Sequence, residues 1–424
     1  MDSAAAREVV ITGMGVVSPI GIGRDAFWDS LRAGRSGVRT IESFEQTGMP
    51  VTFGGEVPDF DGKQYVTPRK SLKVMCREIQ TGFAAARLAC QDAGLECPAV
   101  DPERWGVVLG ADMFYGDPLE MVDVYRACIQ NGSFDFGKFG PHAMDQLFPL
   151  WMLKYLPNMP ACHIGISLDA RGPTNSITLG EVSSLQAFTE ACRVIQRGAA
   201  DVMVAGGTGS RLARVNYLFR DCRPFSRRSD DPAAASRPFD TGRDGMVNGE
   251  GAGVFVLESR LHAESRRATI LARVLGYSST CEPRPGNVPP RGTAIRASIV
   301  GALGMARRDA DAVGHVNAHG LSDREHDPIE AQAIRATLGD VPVTAPKSFF
   351  GNLGAAGGAV EMAVSVLALC KGEIPVTLNY ERPDPHCPVN VVHGSPAPLG
   401  KPTALVLNQA SYGQAVAVFI EGAA

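Results

Sequence analysis

The residues best placed to do chemistry lie in the run Gly172-Pro173-Thr174-Asn175-Ser176-Ile177-Thr178-Leu179-Gly180-Glu181-Val182-Ser183-Ser184. A strand-like stretch enters a small-residue elbow, and a long helix pattern leaves it. That is the layout of a nucleophile elbow, in which a side chain meets unpaired backbone N–H groups and the positive end of a helix dipole. A Cys in that position gains thiolate character. Here it is Glu181, a carboxylate that the same helix end stabilises but that brings no thiol. Other candidates carry less. The 10 cysteines are scattered, with no C-x-x-C pair and no Cys/His cluster, so no metal site is expected. Gly206-Gly207-Thr208-Gly209 follows a strand pattern but lacks dinucleotide spacing. It reads as close backbone packing, and no cofactor is expected. His315 and His326 carry no pattern.

The elements that must position Glu181 occur twice. β-Branched runs alternate with Ala-rich helical patterns, which predicts an α/β class. In the first half a helix around Thr81–Ala89 precedes a strand at Gly106–Gly110, the elbow at Gly180-Glu181, a helix through Ala191–Ile195 and a buried strand at Asp201–Gly207. In the second half a helix at Ile295–Val300 precedes a strand at Gly314–Ala318, a small-residue elbow at Gly354–Gly358, a helix at Val360–Leu367 and a strand at Thr403–Asn408. The order is the same and only insertions differ, the signature of an internal repeat. The junction is placed near Glu258-Ser259, giving halves 1–258 and 259–424. A long insertion from Asp112 to Cys162, rich in aromatics and Met, is expected to be an interface or lid. The stretch from Cys222 to Arg237, with Arg223, Arg227 and Arg228, is expected to be a solvated basic loop.

The chain has 424 residues, of which 45% are hydrophobic and 20% charged, ample for a large core. A net charge of −4 offers no footprint for nucleic acid or an anionic membrane surface. No apolar run is read as reaching membrane-spanning length, and the start has no signal-peptide core. With scattered cysteines, this predicts buried thiols in a reducing cytoplasm.

Two segments carry a family resemblance. The opening Val9-Val10-Ile11-Thr12-Gly13-Met14-Gly15-Val16-Val17-Ser18-Pro19-Ile20-Gly21 resembles the first strand and turn of β-ketoacyl synthases of the thiolase superfamily. So does the glycine-rich run Arg237-Pro238-Phe239-Asp240-Thr241-Gly242-Arg243-Asp244-Gly245-Met246-Val247-Asn248-Gly249-Glu250-Gly251-Ala252-Gly253. The resemblance covers essentially the whole chain. It implies a five-layered α-β-α-β-α thiolase-like fold with two pseudo-repeated halves, and an obligate dimer. It also implies an elbow Cys that takes an acyl chain from an acyl carrier protein, with two His that promote decarboxylation and stabilise charge.

Motif by motif, this chain departs from that pattern. The Cys position is Glu181, and the second His position is Asn352 in Gly351-Asn352-Leu353-Gly354. The first His is kept as His319 and the family Lys as Lys347. The usual His-Gly-Thr-x-Thr, whose threonines hold a pantetheine arm, reads His319-Gly320-Leu321-Ser322-Asp323. The C-terminal gate loop reads Asn408-Gln409-Ala410-Ser411-Tyr412-Gly413-Gln414. Asp327 and Glu330 fall at acidic positions expected to orient backbone and helix ends.

Such a chain resembles the chain-length factor, the non-condensing β-subunit of type II polyketide synthases, although Gln is common there at the nucleophile position. The resemblance implies pairing with a Cys-bearing ketosynthase, or with itself, around an acyl channel, with an acyl carrier protein as an indirect partner. Met113, Phe114 and Tyr115 are expected to wall that channel, and Ala410 and Tyr412 to form its gate. Glu181 is expected to be a structural carboxylate paired with Lys347 or His319. The competing class is a self-standing thioester hydrolase or malonyl decarboxylase using Glu181, His319 and Asn352. An ionised carboxylate cannot donate a hydrogen bond to a developing enolate, which counts against decarboxylation.

Overall fold

The structure is a computed structural model that describes residues 8–45, 48–95, 100–112, 116–213, 215, 225–283 and 290–423. In the first half the strands are β1 (Val9–Ser18), β2 (Trp105–Gly110), β3 (Thr174–Ile177), β4 (Val202–Ser210) and β5 (Glu250–Ser259). The second half contributes β6 (Ala272–Cys281), β7 (His315–Asn317), β8 (Pro342–Thr344), β9 (Asn390–Val391), β10 (Thr403–Gln409) and β11 (Gln414–Gly422). Hydrogen bonding links them in the order β9-β8-β7-β10-β11-β6-β1-β5-β4-β2-β3. The first half runs β3-β2-β4-β5-β1 and the second, leaving aside its short edge strand β9, runs β8-β7-β10-β11-β6, so in both the spatial order of the five strands is third, second, fourth, fifth, first. The outer pairings are parallel (β3·β2·β4 and β8·β7·β10), and the inner ones antiparallel (β4·β5·β1 and β10·β11·β6). The repeated order read from the sequence is therefore a repeated topology. Among the described residues, the halves of this continuous sheet join through β1 and β6, where Val10 and Ile11 pair with Arg273 and Ala272.

Helices fill the layers. α1 (Arg77–Asp92) covers the outer face of the first sheet and α3 (Thr293–Ala306) that of the second, with α4 (His326–Leu338) beside α3. Between the sheets lie α2 (Ser183–Gln196) and α5 (Gly357–Lys371), giving the five layers of a thiolase-like fold. α2 forms because Leu185, Phe188, Cys192 and Ile195 repeat at helical spacing, and all four are buried. α5 is buried on every side from Gly357 to Leu369, so its residues are apolar all round. The segment Gly354–Lys371 is in fact long and apolar enough to cross a bilayer by composition, contrary to the sequence expectation. With 89% of it buried inside the protein, it is the central core helix.

Glycines on β4 let the two central helix starts meet. A Cβ at Gly207 would lie 2.6 Å from Ser184 Cβ and 2.7 Å from Ala355 O; one at Gly209 would lie 2.5 Å from Leu353 O. The elbows before α2 and α5 thus both rest on one strand, the close-packing role expected of the Gly-rich run. Ser184 Oγ ties the elbows together by accepting from Ala359 N at 3.0 Å.

The glycine-rich signature starts in a polar clamp. Asp240 accepts from Gly242 N, Glu381 N and Arg382 N at 2.7, 2.9 and 2.6 Å. Arg237, at the end of the stretch read as a basic loop, is buried and donates to Ala234 O. Arg227 is exposed as expected, whereas Arg223 lies outside the described residues.

Candidate functional site

Glu181 sits on the one-turn 3-10 helix Gly180–Val182 that leads into α2, with its side chain largely buried. Gly180 makes the turn at φ 54, and Ser183 closes it by donating to Gly180 O at 2.7 Å and accepting from Leu179 N at 2.8 Å. The cation facing Glu181 is Arg211, which follows β4 directly. Its guanidinium is 2.6 Å from Glu181 Oε1 and 3.2 Å from Asp112 Oδ2, and the side chain is 4% exposed. The expected pairing with Lys347 or His319 is not what forms. A Cβ on Gly354 would lie 2.7 Å from Arg211 Nε, so the guanidinium is wedged between the first elbow and the glycine of the second.

Lys347 is committed elsewhere. It is buried behind His319, forms an ion pair with Glu361, and donates to His319 O at 2.8 Å and to His319 Nδ1 at 2.9 Å. Glu361 is also held by Asn408 Nδ2 at 3.0 Å, and burial lifts its carboxyl above the usual range while Lys347 opposes this. An ammonium has only donors, so His319 Nδ1 must accept and Nε2 must carry the hydrogen. Burial, followed by the charges of Lys347 and His326, holds His319 well below its ordinary pKa and hence neutral. Its Nε2 has no partner among the described residues. Glu330 anchors the backbone here, accepting from His319 N and Gly320 N at 2.8 and 2.9 Å, and burial pushes it up to about 7. Asp327 accepts from Phe239 N and Ser322 N, and burial with the Asp323 charge pushes it up to about 8. Both acids do the orienting work expected of them.

Asn352 Oδ1 accepts from Gly354 N at 3.0 Å, and its Nδ2 lies 3.8 Å from Met246 Sδ. The amide stiffens the second elbow and cannot exchange a proton as an imidazole does. In the gate loop Ala410 is buried, and its neighbours Gln409 and Ser411 face the site. Tyr412 buckles the loop onto the elbow, donating to Leu179 O at 2.5 Å with its ring against Gly180. Burial, with the charges of Glu181 and Asp112, pushes its phenol up to about 12. Met113, Phe114 and Tyr115 lie outside the described residues.

Glu181, Arg211, His319, Asn352 and Ser411 share one cavity of about 780 Å³ with Leu321, Asp323 and His326, a size suited to a small-molecule chain. Among the described residues no cysteine lines it. The model of the N-terminal domain of β-ketoacyl synthases matches residues 6–263, and that of the C-terminal domain residues 271–381. The chain belongs to the β-ketoacyl synthase family. This ketosynthase-like chain is 36% identical over 399 residues to the tetracenomycin polyketide synthase ketoacyl synthase alpha subunit of Streptomyces glaucescens, covering 92% of each. It is 32% identical over 400 residues to a 3-oxoacyl-[acyl-carrier-protein] synthase 2 of Synechocystis, covering 93% of each. Among solved structures it is similar to the ishigamide ketosynthase/chain length factor, with a TM-score of 0.87, 27% identity and coverage of 99% and 100%. It is also similar to a type II polyketide synthase acyl-carrier protein in complex with its ketosynthase, with a TM-score of 0.85, 29% identity and the same coverage.

Two groups of this ketosynthase-like site escaped the sequence reading. Arg211 stands 30 positions from its partner with no spacing to betray it. His326, read as patternless, places its Nδ1 2.7 Å from Asp323 Oδ2 across the turn that leads into α4. The spacing Asp323-x-x-His326 was the available signal.

Proposed function

We propose that this chain is a non-condensing, ketosynthase-like partner subunit of the chain-length-factor type, acting in the cytoplasm. It dimerises with a Cys-bearing ketosynthase and shapes the acyl channel in polyketide or specialised fatty-acyl assembly, meeting the acyl carrier protein through that partner. The observation that carries the reading is the elbow itself: the position expected to hold the nucleophile carries a carboxylate paired with Arg211, in a cavity that no cysteine among the described residues lines. Condensation by transfer to a thiol at the elbow has no acceptor atom at position 181. The ion pair also argues against Glu181 as a free base for malonyl decarboxylation, since Arg211 favours its charged, hydrogen-bonded form.

The surface supports a partner. Within the insertion, Phe136, Met144 and Met152 are 76%, 87% and 62% exposed, and Ile166 just beyond is 80% exposed. The helix Met159–Leu168, which carries Ile166, contacts β3, the edge strand of the sheet among the described residues, where Thr174 and Asn175 are exposed. An apolar face next to an unpaired strand edge is a ready interface. The test is to incubate the purified chain with malonyl- and acyl-loaded carrier protein and follow products by mass spectrometry. No 3-oxoacyl product is expected from the natural chain or from Glu181→Cys, since Asn352, Leu321 and Asp323 remain. Condensation by either would contradict the reading.

A further inference from the structure

Asp323 and His326 are not part of the elbow, yet they are built like a working pair. Asp323 is 6% exposed. Its Oδ1 accepts from Glu325 N at 3.0 Å and His326 N at 2.5 Å, while Oδ2 meets His326 Nδ1 at 2.7 Å. Arg243 fixes the same residue from behind by donating to Asp323 O at 2.7 Å. The imidazole is therefore held in one orientation, with Nδ1 on the carboxylate. Its Nε2 is buried without a partner among the described residues, and the ring lines the same cavity as His319. Two imidazoles thus face one cavity in different states. His319 is a neutral donor through Nε2, and His326 is backed by a carboxylate.

We propose that Asp323 and His326 form an acid–base dyad that lets the cavity hydrolyse acyl thioesters, with His326 as the catalytic base and Asp323 as its positioning residue. That the acyl group arrives as a thioester rests on the family reading; the dyad itself does not. His326 Nε2 takes a proton from water as the oxygen adds to the thioester carbonyl. The carbonyl oxygen gains negative charge and is met by the His319 Nε2 hydrogen. The C–S bond then breaks, and His326 returns its proton to the departing sulfur. The products are one carboxylic acid and one thiol, with no other reactant consumed. Such a group would clear acyl chains that a subunit without a thiol cannot pass on. The Asp323 partner raises the His326 pKa above its ordinary value, with Glu325 and Asp327 adding to it and burial opposing. His319 lines the same cavity as a neutral group, held so by burial and the charges of Lys347 and His326.

The test uses the butyryl thioester of N-acetylcysteamine, the purified full chain and thiol release as the readout. Hydrolysis should rise through a single ionisation at or above pH ~6.5. His326→Gln should lose about 100-fold or more. Asp323→Asn should slow the reaction and shift the profile to lower pH. His319→Ala should slow it without moving the profile. Ring-nitrogen NMR of His326 in the natural chain and in Asp323→Asn reports the same ionisation even if His326→Gln does not fold. No thiol release above the solvent rate would overturn the proposal. So would hydrolysis indifferent to His326, or a His326 ionisation that Asp323→Asn leaves unmoved. Failure on any of these counts leaves the partner-subunit reading standing, because that reading is judged by condensation and pairing.

Discussion

At Glu181 a nucleophile position has become half of an ion pair, and the residue that made this tolerable is Arg211. Two carboxylates, Glu181 and Asp112, share one buried guanidinium. Removing the cation takes a shared guanidinium from two largely buried carboxylates that lie close together. Arg211→Ala is expected to destabilise by about 3–5 kcal/mol, the scale for stranding buried charge. Glu181→Gln keeps a hydrogen-bond acceptor for Arg211 and should cost only about 1 kcal/mol. Urea unfolding of both variants tests the ordering; equal losses would mean that the pair contributes packing rather than charge. The sequence identified the occupant of this site but not its partner. A carboxylate at a helix start has a visible local cause, whereas the guanidinium that answers it arrives from another strand. The retained Lys347 misled for the same reason. Its partner, Glu361, is 14 residues away on α5, and nothing in the local pattern ranks Glu361 above Glu181.

The start of α4 shows what an element gains from a paired side chain. Asp323 caps the backbone at His326 N and holds the imidazole of His326. The Asp323 carboxyl is lowered, with burial opposing and His326 the main stabiliser, and His326 is raised. A lowered acid contributes stability above its unfolded pKa and loses it as pH falls through the folded one. A raised His contributes below its unfolded pKa and loses it as pH rises past the folded one. Both contributions overlap from about pH 4 to about pH 6.5. His326→Ala should therefore cost more at pH 6 than at pH 9, by about 1 kcal/mol. Melting curves showing equal deficits at the two pH values would remove the ion pair from the account. Element order was legible because apolar periodicity repeats in both halves. The short polar turns were not: Ser322, at φ 66, and the clamp around Arg237 depend on long-range carboxylates that local composition does not reveal.

At the scale of the whole molecule the fold is held by contacts between its two repeated halves. The two elbows rest on β4 and on each other through glycines, Ser184 and Arg211, so their packing does not need a thiol or a second imidazole. Exposed on the chain are Phe136, Met144 and Met152 of the insertion and, among the described residues, the edge of β3, the surfaces that we propose a second subunit covers. The Met and aromatic content of the insertion led to the expectation of an interface or lid, and the structure leaves Phe136, Met144 and Met152 exposed; the edge position of β3 was not legible, because a strand's neighbours are set by the sheet. The most direct measurement is co-expression of this chain with a Cys-bearing ketosynthase of the same organism, followed by sizing chromatography and carrier-protein assay of each fraction. A one-to-one heterodimer that makes 3-oxoacyl product, with none from this chain alone, is the predicted result. A chain that stays apart from the ketosynthase, or that condenses on its own, would contradict it.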